Sequence, residues 1–172
     1  NSMLTIPFQL ILPGLKGIIL GCNVAILLEF VVAGLGMFAL VRYLTGNNTA
    51  AFFGGAAFAF CPYRTVHIVH TDMLSTGWIP LYLLFLLKIL NEPKLRYVFF
   101  AALAFAAASL TCLTYAYFLI LLTGFVLLYR LIFERKNILK REPLLNLAAL
   151  GVLAVLILLP RAIAMVGSGA AI

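Results

Sequence analysis

The run YVFFAALAFAAASLTCLTYAYFLILLTGFVLLYRLIF, residues 97–133, decides the fold class. It holds 37 residues and is almost unbroken in its apolar character. An α-helix rises about 1.5 Å per residue, and about 20 residues cross the roughly 30 Å hydrocarbon core of a bilayer. One straight helix of this length would overshoot. The run therefore reads as two membrane helices joined by a tight turn near Ser109–Thr114. A β-barrel, the other way to span lipid, needs apolar and polar residues in alternation. Neither this run nor Leu81-Tyr82-Leu83-Leu84-Phe85-Leu86-Leu87 alternates.

Composition extends the reading to the whole chain. Of 172 residues, 65% are hydrophobic and 10% charged. Soluble domains are about 45–50% apolar and about 25% charged, and a soluble fold of this length lacks the interior to hide so much apolar surface. Disorder, a disulfide scaffold and a nucleic-acid-binding domain are excluded. Cys22, Cys61 and Cys112 form no CxxC pair and no Cys/His metal spacing; each lies in or beside an apolar run and reads as a small hydrophobe. There is no signal peptide pattern and no internal repeat. The chain opens at Asn1-Ser2-Met3 and closes at Gly169-Ala170-Ala171-Ile172, and reads as a piece of a longer protein.

Outward from the central run, the expected architecture is all-α: a polytopic transmembrane bundle of about six helices, two of them short, forming a single domain over 1–172. The first helix is expected from about Cys22 to Leu44, with Gly46 as C-cap and Asn48 or Thr49 as the next N-cap. Residues 1–21 read as the end of an outer loop and 22–165 as the helices. Ala50–Cys61, before Pro62, and Trp78–Leu90 are too short to span. Asn91-Glu92-Pro93-Lys94 is a turn. Pro143 suits the first turn of the last helix, expected to end at about Leu159, before Pro160. Gly34, Gly36, Gly54 and Gly55, with Ala51 and Ala59, are expected to let the first two helices approach closely.

Basic residues give the orientation. Nine fall in alternate segments: Arg42; Lys88, Lys94 and Arg96; Arg130, Arg135, Lys136, Lys140 and Arg141. The other side holds only Lys16, Arg64 and Arg161. Loops 42–49, 88–97 and 130–143 are thus expected to be cytoplasmic, and the Pro62–Gly77 stretch outward. The net charge of +7 is a topology signal and needs no anionic partner.

Polar groups within apolar helices mark candidate sites. Glu29 lies inside the first helix and reads as a packing carboxyl, or as part of a proton or substrate path. The segment CPYRTVHIVHTDMLSTGWIP, residues 61–80, holds both histidines, the only tryptophan and one of five acids. Arg64 runs against the charge bias, so topology does not explain it. Its planar fork fits a phosphate or pyrophosphate. His67, His70 and Asp72 form a weak pattern for a divalent metal, and a histidine can serve as acid or base near neutral pH. The plain alternative is an interfacial loop anchored by Tyr63 and Trp78.

Three patterns recur in order: AGLGMFALVRYLTG at 33–46, AAFFGGAAFAFCPYR at 50–64, and HIVH at 67–70 followed by LSTGWIPL at 74–81. Together they resemble bacterial multi-pass proteins of the GT-C glycosyltransferase superfamily, over about residues 1–165. The resemblance implies a polyprenyl-phosphate-linked sugar donor and transfer at the outer face of the plasma membrane, with the site at the extracytoplasmic mouth. Arg64, Tyr63, His67 and His70 then become the donor-phosphate-binding candidates. The superfamily's catalytic carboxylate sits in the first outer loop. No acidic residue precedes Glu29, so the catalytic base is expected outside this chain; Asp72 is the better-placed acid but does not match that position. The partners implied are the lipid bilayer and the lipid-linked donor, with no nucleic acid. A transporter or flippase, with Glu29 and the two short helices forming a midplane site, and a non-catalytic membrane scaffold are the competing classes.

Overall fold

The computed structural model describes residues 15–68, 71–133 and 141–169, and what it describes is helical almost throughout. The helices are α1 (Leu15–Thr45), α2 (Asn48–Ala59), α3 (Pro62–Val66), α4 (Thr71–Leu74), α5 (Trp78–Asn91), α6 (Leu95–Thr111), α7 (Leu113–Phe133) and α8 (Arg141–Gly169). Three segments are long and apolar enough to cross a membrane, Ile18–Thr45, Leu113–Phe133 and Glu142–Pro160; α5 and α6 are shorter apolar helices. Large apolar side chains such as Leu27, Val31, Leu35, Phe118, Leu121 and Phe125 lie exposed on the helix surfaces. That is the surface lipid requires and water penalises. The protein is a membrane protein with the expected all-α architecture. The chain forms two compact units, Asn1–Leu81 and Tyr82–Ile172.

In the first unit α1 and α2 form an antiparallel hairpin. Gly46 takes φ +68°, a left-handed conformation that suits glycine at a helix C-terminus, and its N–H donates to Arg42 O at 2.8 Å. The N-cap of α2 is Asn47, one residue before the expected Asn48 or Thr49: its Oδ1 accepts from Thr49 N at 2.8 Å and Ala50 N at 3.2 Å. The helices meet through small residues. A Cβ on Gly55 would lie 2.7 Å from Gly34 O, and one on Gly54 would lie 3.0 Å from the Val41 side chain. Ala51 and Ala59 are buried. Gly36 departs from the expectation, because its near neighbours are Gly77 O, Leu81 and Pro80 and none belongs to α2.

At 12 residues, α2 extends only about 18 Å. Starting beside the C-terminal end of α1, it stops level with the middle of that helix, where Phe60 meets Phe30 with ring centroids 5.8 Å apart. The chain between α2 and α5 is thus delivered to mid-length of a membrane-spanning helix. Non-helical backbone survives at such depth only when packed in protein or facing a water-filled cavity.

In the second unit the long apolar run divides as expected. Cys112 is extended (φ −140°, ψ 121°) and separates α6 from α7. Ahead of it, Ser109 and Thr111 return their hydroxyls to Ala106 O and Ala107 O, bonds that ease a helix out of its ladder. Tyr82 Oη and Thr123 Oγ1 lie 2.7 Å apart. Thr123 donates its own proton to Leu119 O, so Tyr82 is the donor between α5 and α7. Two boundaries differ from expectation. α1 starts at Leu15, with Lys16 inside the helix, and α8 continues through Pro160 to Gly169. Within a membrane span proline is tolerable because neighbouring helices, hydroxyl side chains and small local adjustments of the helix satisfy the backbone groups it frees.

The tightest backbone approach gives a direct test. A Cβ on Gly77 would lie 2.6 Å from Ala33 N and 2.8 Å from Ala33 Cα. Neither atom can move without moving α1. Gly77→Ala should destabilise the chain by about 1–3 kcal/mol, read as a lowered thermal midpoint in detergent, whereas Gly124→Ala, with nothing near its side-chain position, should leave the midpoint unchanged.

Candidate functional site

The Pro62–Gly77 segment is built on α1. Cys61 is extended and Pro62 starts α3, a place where its missing N–H costs nothing. One helical turn brings Arg64 inward to complete burial. Its Nη1 donates to Leu74 O and to Thr76 Oγ1, both at 2.6 Å, and its guanidinium carbon lies 4.8 Å from the centre of the Phe30 ring. The arginine thus binds the far end of its own segment, ten and twelve residues on.

Glu29, one residue before Phe30, faces the same cluster. It is 8% exposed, and its Oε1 accepts from Ser75 Oγ at 2.6 Å. Oε2 has no hydrogen-bond partner among the described residues. Arg64 binds Leu74 O and Thr76 Oγ1 while Glu29 accepts from Ser75, the residue between them, so the two groups sit in one buried neighbourhood, each with neutral oxygen or hydroxyl partners. Burying either alone would cost several kcal/mol. Glu29, Ala33 and Gly36 follow one another at four and three residues, one stripe of α1. Ser75, Gly77 and the start of α5 pack along that stripe. The carboxyl read from sequence as a packing group or a path residue holds this segment.

The outward part of α3 carries Tyr63 and His67. Their rings stack with centroids 4.3 Å apart, and His67 Nδ1 lies 2.8 Å from Tyr63 O. A carbonyl oxygen only accepts, so Nδ1 carries the proton and Nε2 of the neutral ring is the acceptor. Tyr63 is 46% exposed and His67 is half-buried. Of the sequence candidates, Tyr63, Arg64 and His67 therefore sit on one helical turn, two facing outward and one inward. His70 lies outside the described residues, and so does the side chain of Asp72. Among the described residues no group of three His, Cys, Asp or Glu side chains gathers to hold a metal.

The residues that sequence reading left without a role are Ser75, Thr76 and Phe30. Their signal was available in part. Adjacent hydroxyls directly before a glycine, in an otherwise apolar stretch, are what a buried charge needs for partners.

The arrangement is a short helix that carries the stacked Tyr63 and His67 rings on one face and is anchored on the other by a buried cation, Arg64. No curated protein and no solved structure matches the chain. A family model does, that of the dolichyl-phosphate-mannose-protein mannosyltransferases, over residues 8–162. That match covers the α1–α2 hairpin, the anchored segment and the apolar helices that follow. The chain accordingly belongs to the dolichyl-phosphate-mannose-protein mannosyltransferase family, and is a membrane protein of the GT-C-like glycosyltransferase type.

Proposed function

We propose that the protein takes part in transfer of a sugar from a polyprenyl-phosphate donor at the outer face of a plasma membrane, with loops 42–49, 88–97 and 130–143 cytoplasmic. The observation that carries this reading is the anchored turn: Tyr63 and His67 stacked outward over an Arg64 whose fork is bound within the segment. The family's printed name supports a lipid-phosphate-linked sugar as donor, and the nine-to-three division of basic residues supports the orientation.

In such a transfer the bond between the sugar C1 and the phosphate oxygen breaks, and an acceptor oxygen bonds to C1 and loses its proton. Negative charge grows on the departing phosphate. Groups aimed at that oxygen lower the barrier when they bind it more strongly in the transition state than in the ground state. Tyr63, through its Oη–H, is the side chain of α3 placed to donate to the phosphate. His67, at the α3 C-cap, holds the Tyr63 ring by stacking and donates from Nε2 only as the doubly protonated ring. Asp72, the acid of the segment, is the candidate to accept the proton.

Arg64 acts mainly as a positioning residue in this reading. Its Nη1 bonds to Leu74 O and Thr76 Oγ1 set the register of α3 against the chain after α4. Its buried charge also adds a weakly screened positive potential.

Four outcomes test the proposal, using the intact protein and a polyprenyl-phosphate-sugar donor, with turnover normalised to folded protein. Arg64→Ala should lower turnover by about 10²-fold or more. His67→Ala should cost less, with its loss expressed in turnover and not in thermal midpoint. A cycle of Arg64→Lys and Thr76→Val should show coupling of about 0.5–3 kcal/mol; strict additivity would mean that Arg64 does not work through Thr76. Glu29→Gln should retain most activity, because an amide oxygen can still accept from Ser75 Oγ, while Glu29→Leu should lose folded protein. Orientation is checked by labelling in sealed cells. Asn137→Cys should react only from the cytoplasm and Thr71→Cys from outside, and the reverse pattern would sink the placement of the site.

A further inference from the structure

The second unit gathers cations at one end. Lys88, in the last turn of α5, places Nζ 5.5 Å from the centre of the Tyr97 ring and 5.8 Å from that of Phe85. Lys94 Nζ is 6.0 Å from the same tyrosine ring, and Arg96 Cζ is 4.9 Å from it. Arg96 Nη2 also donates to Tyr97 Oη at 3.0 Å. Arg130, in the last turn of α7, donates from Nη2 to Asn91 Oδ1 at 2.7 Å, which brings the end of α7 to the end of α5. Three cations thus surround a tyrosine that is itself buried, and a fourth, Arg130, binds Asn91 at the adjoining end of α5.

Their acidic counterpart is small. Glu92 takes a 2.9 Å ion pair from Lys94 and accepts from Tyr97 Oη at 3.4 Å. Lys88, Lys94, Arg96 and Arg130 against Glu92 leave an excess of three positive charges in this group. Like charges held this close repel one another unless a counter-charge is supplied. The neighbouring surface shows where that charge comes from. Leu95, Phe99 and Phe100 stand exposed at the start of α6, directly after Lys94 and beside Arg96. A ligand that satisfies both surfaces has a phosphate at one end and hydrocarbon at the other.

We propose that the ends of α5 and α7 with the start of α6 form a binding site for an anionic phospholipid. Its phosphate lies among Lys88, Lys94, Arg96 and Arg130, and its acyl chains lie along Leu95, Phe99 and Phe100. The candidate membrane span Leu113–Phe133 ends here, which suits headgroup depth. Basic clusters between membrane helices are suited to headgroup phosphates, each basic residue near an anionic surface being worth about 1 kcal/mol. The site is independent of the sugar-transfer reading, since it uses none of the residues of the anchored turn.

The test measures affinity of the detergent-purified chain for phosphatidylglycerol carrying a fluorescent acyl chain, with phosphatidylcholine of the same tail as reference. The parent should prefer phosphatidylglycerol. Lys94→Gln and Arg96→Gln, both at exposed positions, should each weaken that binding about five-fold, the factor equivalent to ~1 kcal/mol, without changing the thermal midpoint in neutral detergent. Lys16→Gln, in α1, should leave the affinity unchanged. Inorganic phosphate, compared with chloride at matched ionic strength, should not displace the lipid. The proposal fails if both glutamine variants bind like the parent, if Lys16→Gln weakens binding as much as they do, or if inorganic phosphate competes as effectively as phosphatidylglycerol.

Discussion

A guanidinium placed at the depth of a membrane interior must find oxygen partners within the protein, because no water is there to supply them. Arg64 answers it through Nη1, which donates to Leu74 O and Thr76 Oγ1, with the face of Phe30 beside the guanidinium. Much of the first unit follows from that need. The segment must fold back so that residues 74 and 76 reach residue 64. Folding back in turn places Ser75 against Glu29, and this puts a carboxyl near the cation. Removal of any one member would leave another polar group buried with fewer partners, which costs more than the bond itself contributes.

The stripe of small residues on α1 is the geometric counterpart of this chemistry. Ala33 and Gly36 let Gly77 and the start of α5 come to backbone contact, and Glu29 ends the stripe with the one acceptor the loop needs. Short α2 is equally necessary, since a helix of full spanning length would carry residues 61–77 past the middle of α1. The segment can therefore be irregular, polar and deep at once. Glycosyl transfer from a lipid-linked donor makes similar demands, because the phosphate remains near the membrane while the sugar must reach a polar acceptor.

The second unit uses polar chemistry differently. Within the apolar span the Tyr82–Thr123 hydrogen bond links α5 and α7, and cations gather at the helix ends near Tyr97. Tyrosine suits that level because its ring is apolar and its hydroxyl is wet. The cations there read first as a topology signal. The structure adds that Lys88, Lys94 and Arg96 converge on one ring next to exposed hydrocarbon, an arrangement that the count of basic residues does not contain.

The six longer helices and most of their ends were legible in the sequence, because hydropathy, turn residues and caps act over a few neighbouring residues; the short α3 and α4 within the polar segment were not. Gly46 marked a helix end, and the division of residues 97–133 fell within the expected turn. Local signals failed where several candidates competed, as with Asn47 over Asn48 and Thr49, or where lipid changes the rule, as with Pro160. Arg64 was identified as the residue that charge bias could not explain, but its direction was not legible. Its partners lie ten and twelve residues away, and the Glu29–Ser75 bond spans 46 positions. Hydropathy and periodicity, by themselves, determined that the chain is a helical membrane protein with one unusual polar segment. Which face of that segment turns inward was decided only by tertiary structure, since the burial of a charge depends on partners that sequence proximity does not specify.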